Sequence, residues 1–452
     1  MALTGIQIYK LLPQTNCKEC GFPTCLAFAM KLGAKQVELS DCPYVTEEAK
    51  AELAESAAPP IRLVELEGKE RKVKAGAETV LFRHEKTFCN RPAVLINLAD
   101  SLDDSEIEEK ATRVDAYVVD YVGLDLGVDG FAVQSTSGDP ARFAAAVSAV
   151  RRVSGLPIAL VSEDPAVLEA GLGVIAGEKP LLVGASASNW EKVAELATEH
   201  GAAFSVEGAG LDELAEISEK VAGKGVDDIV LRLTADGMSA PLAMQTQIRR
   251  LALKNFRPLG YPTLQFIGTP ADPGMVSVLA TQAICKYAGF VVLDDFAPDL
   301  VYALLVLRQN IYTDPQQPIQ VQPALYEINA PTPDAPLLVT TNFSITYFSV
   351  ANEVEGSGLP AWLLVADAEG MSVLTAWAAG KFDAESIAKA VKGFSVADRV
   401  GHRQIVLPGH VAVLSGELEE ELPGWSVMVG PREAVDLPAY MRTVLAEGTA
   451  AN

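Results

Sequence analysis

Four of the six cysteines of this chain, Cys17, Cys20, Cys25 and Cys42, lie in its first 42 residues. Thiolates are soft donors, and four of them from one short segment can ligate an iron-sulfur cluster or a zinc ion tetrahedrally. A structural zinc site usually pairs two Cys-x-x-Cys knuckles. Here Cys17 and Cys20 form one such pair, Cys25 stands alone after GFPT, and Cys42 follows the helical stretch CLAFAMKLGAKQVE and precedes Pro43. That irregular spacing and the closing Cys-Pro favour iron, as a [4Fe-4S] cluster, and zinc is the alternative. Cys89 and Cys285 are isolated and read as ordinary buried cysteines.

A second group of chemically capable residues stands at the ends of apolar runs in the middle of the chain: Asn97, Asp100, Gln134, Glu163, Glu207, Asp294 and Asp295. Carboxylates at such positions can serve as general acid or base groups or contact a pterin. No His-x-His or paired-ligand spacing accompanies them, so a scaffold that binds a second subunit is the preferred reading.

The elements that must carry these residues follow from hydrophobic patterning. Short β-branched runs begin at residues 93 (AVLINL), 130 (GFAVQS), 157 (PIALVS), 180 (PLLVGA), 202 (AAFSVE), 228 (DIVLRL), 262 (PTLQFI) and 290 (FVVLDD). Helical stretches such as ARFAAAVSAVRRV, DPAVLEAGLG, NWEKVAELATEHG, LDELAEISEKVAGKG and PLAMQTQIRRLALKN separate them. Eight βα units of this kind predict a (β/α)8 TIM-type barrel over 59–311, with a doubly wound open sheet as the alternative. Residues 1–58 form a small separate domain ending in AELAESAAPP. Residues 312–336 hold six prolines and read as a stiff linker or surface strap. From 337 to 452 the pattern resumes with LLVTTN, AWLLVA, RQIVLP and WSVMVG, and with helices in MSVLTAWAAGK, DAESIAKAVKG and PREAVDLPAYMRTVLA. That predicts an open, Rossmann-like α/β sheet of four or five strands. Trp362, Trp377 and Trp425 are expected in its core.

Composition bounds the partners. The net charge of -23, from 36 basic and 59 acidic residues, leaves no basic field for nucleic acid. The start MALTGIQIYK lacks a basic segment followed by an apolar one, and apolar runs such as AWLLVA are too short to span a bilayer. A cytoplasmic protein of several domains, with thiols reduced and no membrane association, is expected.

The segment from LTGIQIYKLLP through NCKECGFPTCLAFAMKL to DCPYV resembles the cluster domain of the large (gamma) subunit of the corrinoid iron-sulfur protein of the acetyl-CoA decarbonylase/synthase system. The resemblance extends along the chain, and its later part runs through TTNFSITYF, VADAEGMSVLTAWAAGKF, LPGHVAVLSGELEEELPGW and VMVGPREA. It implies that Cys17, Cys20, Cys25 and Cys42 ligate a [4Fe-4S] cluster and that the carboxy-terminal domain binds a corrinoid. The ligand crevice of an open α/β sheet lies beyond the carboxyl ends of its strands. The corrinoid contacts are therefore expected among Thr341, Asn342, Thr346, Tyr347, Gly370, Met371, Ser372, Val373, Leu374, Thr375, Gly409, Gly430 and Pro431, with Phe348 beside them. Glycines there let backbone approach a flat macrocycle.

The corrinoid fingerprint Asp-x-His-x-x-Gly is absent, since Val400 precedes His402 and Pro408 precedes His410 by two positions. Both histidines are expected to cap or face solvent, and the corrinoid to be base-off with no histidine ligand. The function the resemblance implies is that of a methyl carrier of the reductive acetyl-CoA (Wood-Ljungdahl) pathway. Co(I) accepts a methyl group from methyl-tetrahydrofolate through a methyltransferase and passes it to the nickel site of acetyl-CoA synthase/CO dehydrogenase, while the cluster reactivates Co(II) by reduction. A heterodimer with a small subunit is implied. Two alternatives stand beside it: a barrel enzyme acting on a pterin with an attached electron-transfer or zinc module, and a non-enzymatic assembly subunit.

Overall fold

The computed structural model describes residues 5–33, 36–46, 49–50, 53, 58–121, 124–268, 273–314 and 319–445. The chain forms two compact units, 1–118 with 127–312 and 119–126 with 313–452.

At the start of the first unit, helices Gly5–Leu11 and Cys25–Gly33 pack on one another around Ile8, Leu12, Phe28 and Ala29, and Cys25, Cys42 and Val45 join the same core. The helix expected after Cys25 extends to Gly33, positions 34 and 35 fall outside the described residues, and a 3-10 turn at Leu39–Asp41 leads into Cys42. Most of the expected boundary segment AELAESAAPP also lies outside them.

A hairpin of β1 (Val64–Glu67) and β2 (Lys72–Ala75) precedes the barrel. The barrel strands are β3 (Ala93–Ala99), β6 (Gly130–Gln134), β7 (Ile158–Val161), β8 (Leu181–Ala185), β9 (Ala203–Glu207), β10 (Ile229–Leu233), β11 (Thr263–Ile267) and β12 (Ala288–Leu293), and a second hairpin of β4 (Val118–Tyr121) and β5 (Leu124–Gly127) falls between β3 and β6. All eight barrel strands are parallel, and β12 pairs with β3 to close the ring. These are the eight runs expected from the sequence. They read as continuous apolar stretches because both faces are buried, one in the barrel interior and one under helices. Several helices start sharply: Asp139 and Asp164 accept hydrogen bonds from the amides of Ala141 and Ala166, and Pro140 and Pro165 occupy the first helical turn.

The β1–β2 hairpin was not expected. Val64, Leu66 and Ala75 enter the core formed by Ala93, Leu95, Ala132 and Phe290 inside the barrel, and Glu67 exchanges backbone hydrogen bonds with Lys179, just before β8. The hairpin thus plugs the amino-terminal mouth of the barrel.

The second unit is built on a five-stranded sheet of β13 (Ala324–Ile328), β14 (Leu337–Thr341), β15 (Ala361–Ala366), β16 (Gln404–Leu407) and β17 (Ser426–Val429), in the order β13-β15-β14-β16-β17. Here the expectation of a linker or strap over 312–336 needs correction. Residues 315–318 lie outside the described residues, but Ala324–Ile328 pair antiparallel along β15 as an edge strand. Pro323 and Pro331 flank this strand without interrupting it, so its five amides are free to pair. Helix Ser344–Ser357 and the turn at Leu437–Tyr440 cover one face of the sheet; helices Ala384–Gly393 and Ser415–Glu421 cover the other. The single helix expected in PREAVDLPAYMRTVLA is divided into a 3-10 turn, the short helix beginning Leu437-Pro438 and a π turn. Trp362 and Trp425 are core residues as expected, whereas Trp377 is exposed, its helix Val373–Ala378 burying Val373 and Ala376 instead.

Candidate functional site

The cysteine segment is gathered but not closed. Cys25 and Cys42 are buried in one core with Cys20 packed at its edge, and Cys17 is exposed. Among the described residues no three His, Cys, Asp or Glu side chains converge as a metal-ligating group. The loop between the two helices is nevertheless shaped around the thiols. Gln14, Asn16 and Lys18 adopt positive φ (57°, 50° and 69°), a costly conformation for side-chain-bearing residues. Asn16 donates its amide to Cys25 Sγ at 3.4 Å and accepts the Cys25 amide on Oδ1 at 2.8 Å. The donor set consists of thiols alone, which suits iron-sulfur or zinc ligation. Cys89, expected to be buried, is exposed, and Cys285 is half-buried. Cys89 lies in a stretch before β3 without helix or strand, where periodicity gives no guide to burial.

The second candidate is a cleft of about 330 Å³ in the carboxy-terminal sheet unit. Its floor is Leu338, Thr340 and Val406, on the sheet face covered by helix Ser344–Ser357. One wall is that helix, through Ile345, Thr346, Ser349 and Val350; the other holds Ala434 and Leu437. The lip lies at the carboxyl ends of β16 and β17 and at Ser372–Leu374, where His410, Gly430, Pro431, Arg432 and Glu433 surround it. Charge is confined to the lip. His410 Nε2 stands 3.8 Å from Glu433 Oε1.

Of the expected contacts, Thr346, Ser372, Val373, Leu374, Gly430 and Pro431 line this cleft. Thr341, Asn342, Tyr347, Gly370, Met371, Thr375 and Gly409 lie outside its lining, and several have evident structural duties. Asn342 is buried and accepts the amides of Ala368 and Gly370 (2.9 and 3.0 Å), while its Nδ2 donates to Asp367 and Gln320 (3.0 and 3.2 Å). It fixes the turn that presents Ser372, in which Glu369 and Gly370 take positive φ. Gly409 allows two loops to touch: a Cβ there would lie 2.5 Å from the Gly430 carbonyl oxygen and 2.9 Å from the Pro431 carbonyl carbon. Met371 packs against the sheet core, and Thr375 pairs its hydroxyl with Ser372. Tyr347 packs against Tyr326 and Phe348 with ring centroids 5.0 Å apart in each case, and burial raises its phenol above the usual range. His402 accepts the Gln404 amide on Nδ1 and bonds the Ala335 carbonyl through Nε2, the capping role expected of it.

Sequence reasoning missed Ile345, Ser349, Val350, Pro408, His410 and Arg432 as cleft residues. Strand ends were visible from the pattern; the face that a following helix turns toward the sheet was not. Thr340 was also missed. Its Oγ1 is a buried polar atom with no hydrogen-bond partner.

At the carboxyl end of the barrel the structure brings some expected residues together. Asn97 Nδ2 donates to Gln134 at 2.7 Å and to Asp294 at 3.4 Å. Glu207 forms an ion pair with Arg232; burial raises its carboxyl above the usual range despite that partner. Asp100 is fully buried and accepts five hydrogen bonds from Ser135, Thr136 and Ser137. Burial alone would push its carboxyl up, but these bonds outweigh that and hold it below the usual range. It anchors the loop after β6 and offers no free oxygen as an acid or base. Glu163 and Asp295 form no ligating group with these residues.

Two family models match the chain. The family model for the CO dehydrogenase/acetyl-CoA synthase delta subunit matches residues 63–441, and an Fe-S cluster family model matches residues 12–44. The chain is 44% identical, over 99% of its length and 100% of the relative, to the corrinoid/iron-sulfur protein large subunit of Moorella thermoacetica. It is 35% identical to the acetyl-CoA decarbonylase/synthase complex subunit gamma of Methanopyrus kandleri, over 97% of each chain. It is 36% identical to subunit gamma 1 of Methanosarcina mazei, over 96% of this chain and 97% of that one. Among solved structures, dihydropteroate synthase from Thermus thermophilus aligns with 55% of this chain and 100% of its own, at 19% identity and a TM-score of 0.39.

Proposed function

This chain belongs to the family of corrinoid/iron-sulfur protein large subunits and acetyl-CoA decarbonylase/synthase gamma subunits, and from that premise we propose that it is a methyl-carrier subunit of acetyl-CoA synthesis. In this reading it holds a corrinoid in the cleft of the carboxy-terminal sheet and a [4Fe-4S] cluster on Cys17, Cys20, Cys25 and Cys42. Bound there, the corrinoid supplies a nucleophilic cobalt and the cluster a low-potential electron. Its partners are a small subunit in a heterodimer, a methyl-tetrahydrofolate methyltransferase and acetyl-CoA synthase/CO dehydrogenase, in the cytoplasm.

The observation that carries the reading is the cleft itself. It has an apolar floor with one unsatisfied hydroxyl and a lip that keeps every charged group at the surface. Such a pocket admits a flat, largely apolar tail while a polar macrocycle edge stays outside. The chain's residues do three things. Helix Ser344–Ser357 and the β14–β16 floor exclude water from the inserted group; Asn342 fixes the turn at the lip; Gly409 lets the β16 and β17 loops close together. His410 is drawn toward Glu433 at the lip and His402 is engaged in capping, in keeping with a base-off corrinoid without a histidine ligand.

The test is metal analysis and absorption spectroscopy of protein purified anaerobically with its small subunit. Iron in four-iron stoichiometry together with cobalt and a base-off corrinoid spectrum is expected. Material containing neither iron nor a corrinoid chromophore would overturn the proposal.

A further inference from the structure

The Thr340 hydroxyl has no partner although it is buried at the floor of the cleft. Along β14 side chains alternate between faces: Leu337 and Val339 enter one core, Leu338 the other. Thr340 therefore shares the face of Leu338 and Val406, toward helix Ser344–Ser357, where the cleft lies. Among the described residues lining the cleft, its Oγ1 is the buried side-chain polar atom left unsatisfied; Ser349 donates to the Ile345 carbonyl and Ser372 pairs with Thr375. Leaving a buried hydroxyl unpaired is costly, and native proteins seldom do so without a ligand or water. The neighbouring Thr341 Oγ1 is also unsatisfied, but it projects to the opposite face and does not line the cleft.

The surroundings restrict what can meet this hydroxyl. No cation reaches the floor, so a phosphate would be buried unpaired there; His410 and Arg432 sit at the lip, where a phosphate would be met. A carboxamide would bring two N–H donors to a floor where Leu338 and Val406 offer no side-chain acceptor. A flat aromatic ring with a single acceptor nitrogen matches both the apolar floor of Leu338 and Val406 and the Thr340 hydroxyl beside them. In a base-off corrinoid the ring nitrogen of the tail base is off the metal and needs such a partner once buried.

We propose that the Thr340 hydroxyl donates a hydrogen bond to an aromatic ring nitrogen in the corrinoid tail, so that the cleft selects tails ending in a benzimidazole- or purine-type base over tails ending in a phenol. The proposal rests on the corrinoid reading given above and adds a residue that sets specificity to it.

The experiment titrates cofactor-free full-length chain, in complex with its small subunit, with three cobalt corrinoids: benzimidazole-tailed cobalamin, a cresol-tailed cobamide and tailless cobinamide. Binding is read from quenching of tryptophan fluorescence and from the visible spectrum, without any assay of methyl transfer. The wild type binds cobalamin roughly tenfold more tightly than the cresol-tailed form, the contribution of one net hydrogen bond. Thr340→Val abolishes that preference by weakening cobalamin alone, Thr340→Ser retains it, and Thr341→Val, the control on the other face, leaves it unchanged. Equal weakening of both tailed forms by Thr340→Val, or a preference that survives it, overturns the proposal while leaving the corrinoid reading intact. Failure of the wild type to bind any of the three overturns both.

Discussion

Asn342 takes the place at the end of β14 where a cofactor contact is a natural expectation, and the structure gives it a different task. Both its polar atoms are used within the protein, two amides on Oδ1 and two side-chain acceptors on Nδ2. Removing them strands buried backbone amides of Ala368 and Gly370, whose desolvation is then uncompensated. Asn342→Ala is therefore expected to cost about 2 kcal/mol or more of stability in the carboxy-terminal sheet unit, seen as a lower denaturant midpoint, and to weaken corrinoid retention by loosening the Ser372 turn. Unchanged stability would show that the turn is held by other contacts. Asp100 is a parallel case in the barrel: a carboxylate named from its position at a strand end is committed to five hydrogen bonds and is part of the scaffold. Residue types and positions nominate candidates; only the partners decide which of them are free to do chemistry.

At the scale of elements, the barrel strands were readable because a strand buried on both faces is a continuous apolar run, and eight such runs stand between 93 and 295. The β1–β2 hairpin escaped notice because VELE and KVKA are short and half charged. Their ion pairs between Lys72, Lys74, Glu65 and Glu67 face outward, while Val64, Leu66 and Ala75 do the packing. Leu66 is fully buried in the barrel core. Leu66→Ala should cost about 2–5 kcal/mol through lost contacts and the cavity left behind, measured as the unfolding free energy of the barrel unit. A loss well under 1 kcal/mol would show that the hairpin is an ornament and not a plug. Edge strand β13 was hidden for a related reason: six prolines dominate its neighbourhood and mask a five-residue stretch free of them.

For the whole molecule, the two units meet in sequence between Tyr312 and Thr313, with 119–126 assigned to the carboxy-terminal unit. The cysteine segment belongs to one unit and the cleft to the other, so the two cofactors should be separable. A chain ending at Tyr312 is expected to retain iron and its absorbance while carrying no cobalt. Cobalt retained at full stoichiometry would move the corrinoid out of the cleft lined by Leu338, Thr340 and Val406. A cut near residue 330 is a poorer test, because it leaves β13 without its partner β15.

The sequence by itself determined the eight barrel strands and the four clustered thiols, since apolar periodicity and cysteine spacing are local properties of the chain. Only the tertiary structure decided which side chains line the cleft, that the 319–336 region contributes a sheet edge, and that Asn342 and Asp100 are structural. Those outcomes depend on which face of a helix meets the sheet and on which distant donors satisfy a buried group. Neither is encoded in the spacing of any single segment.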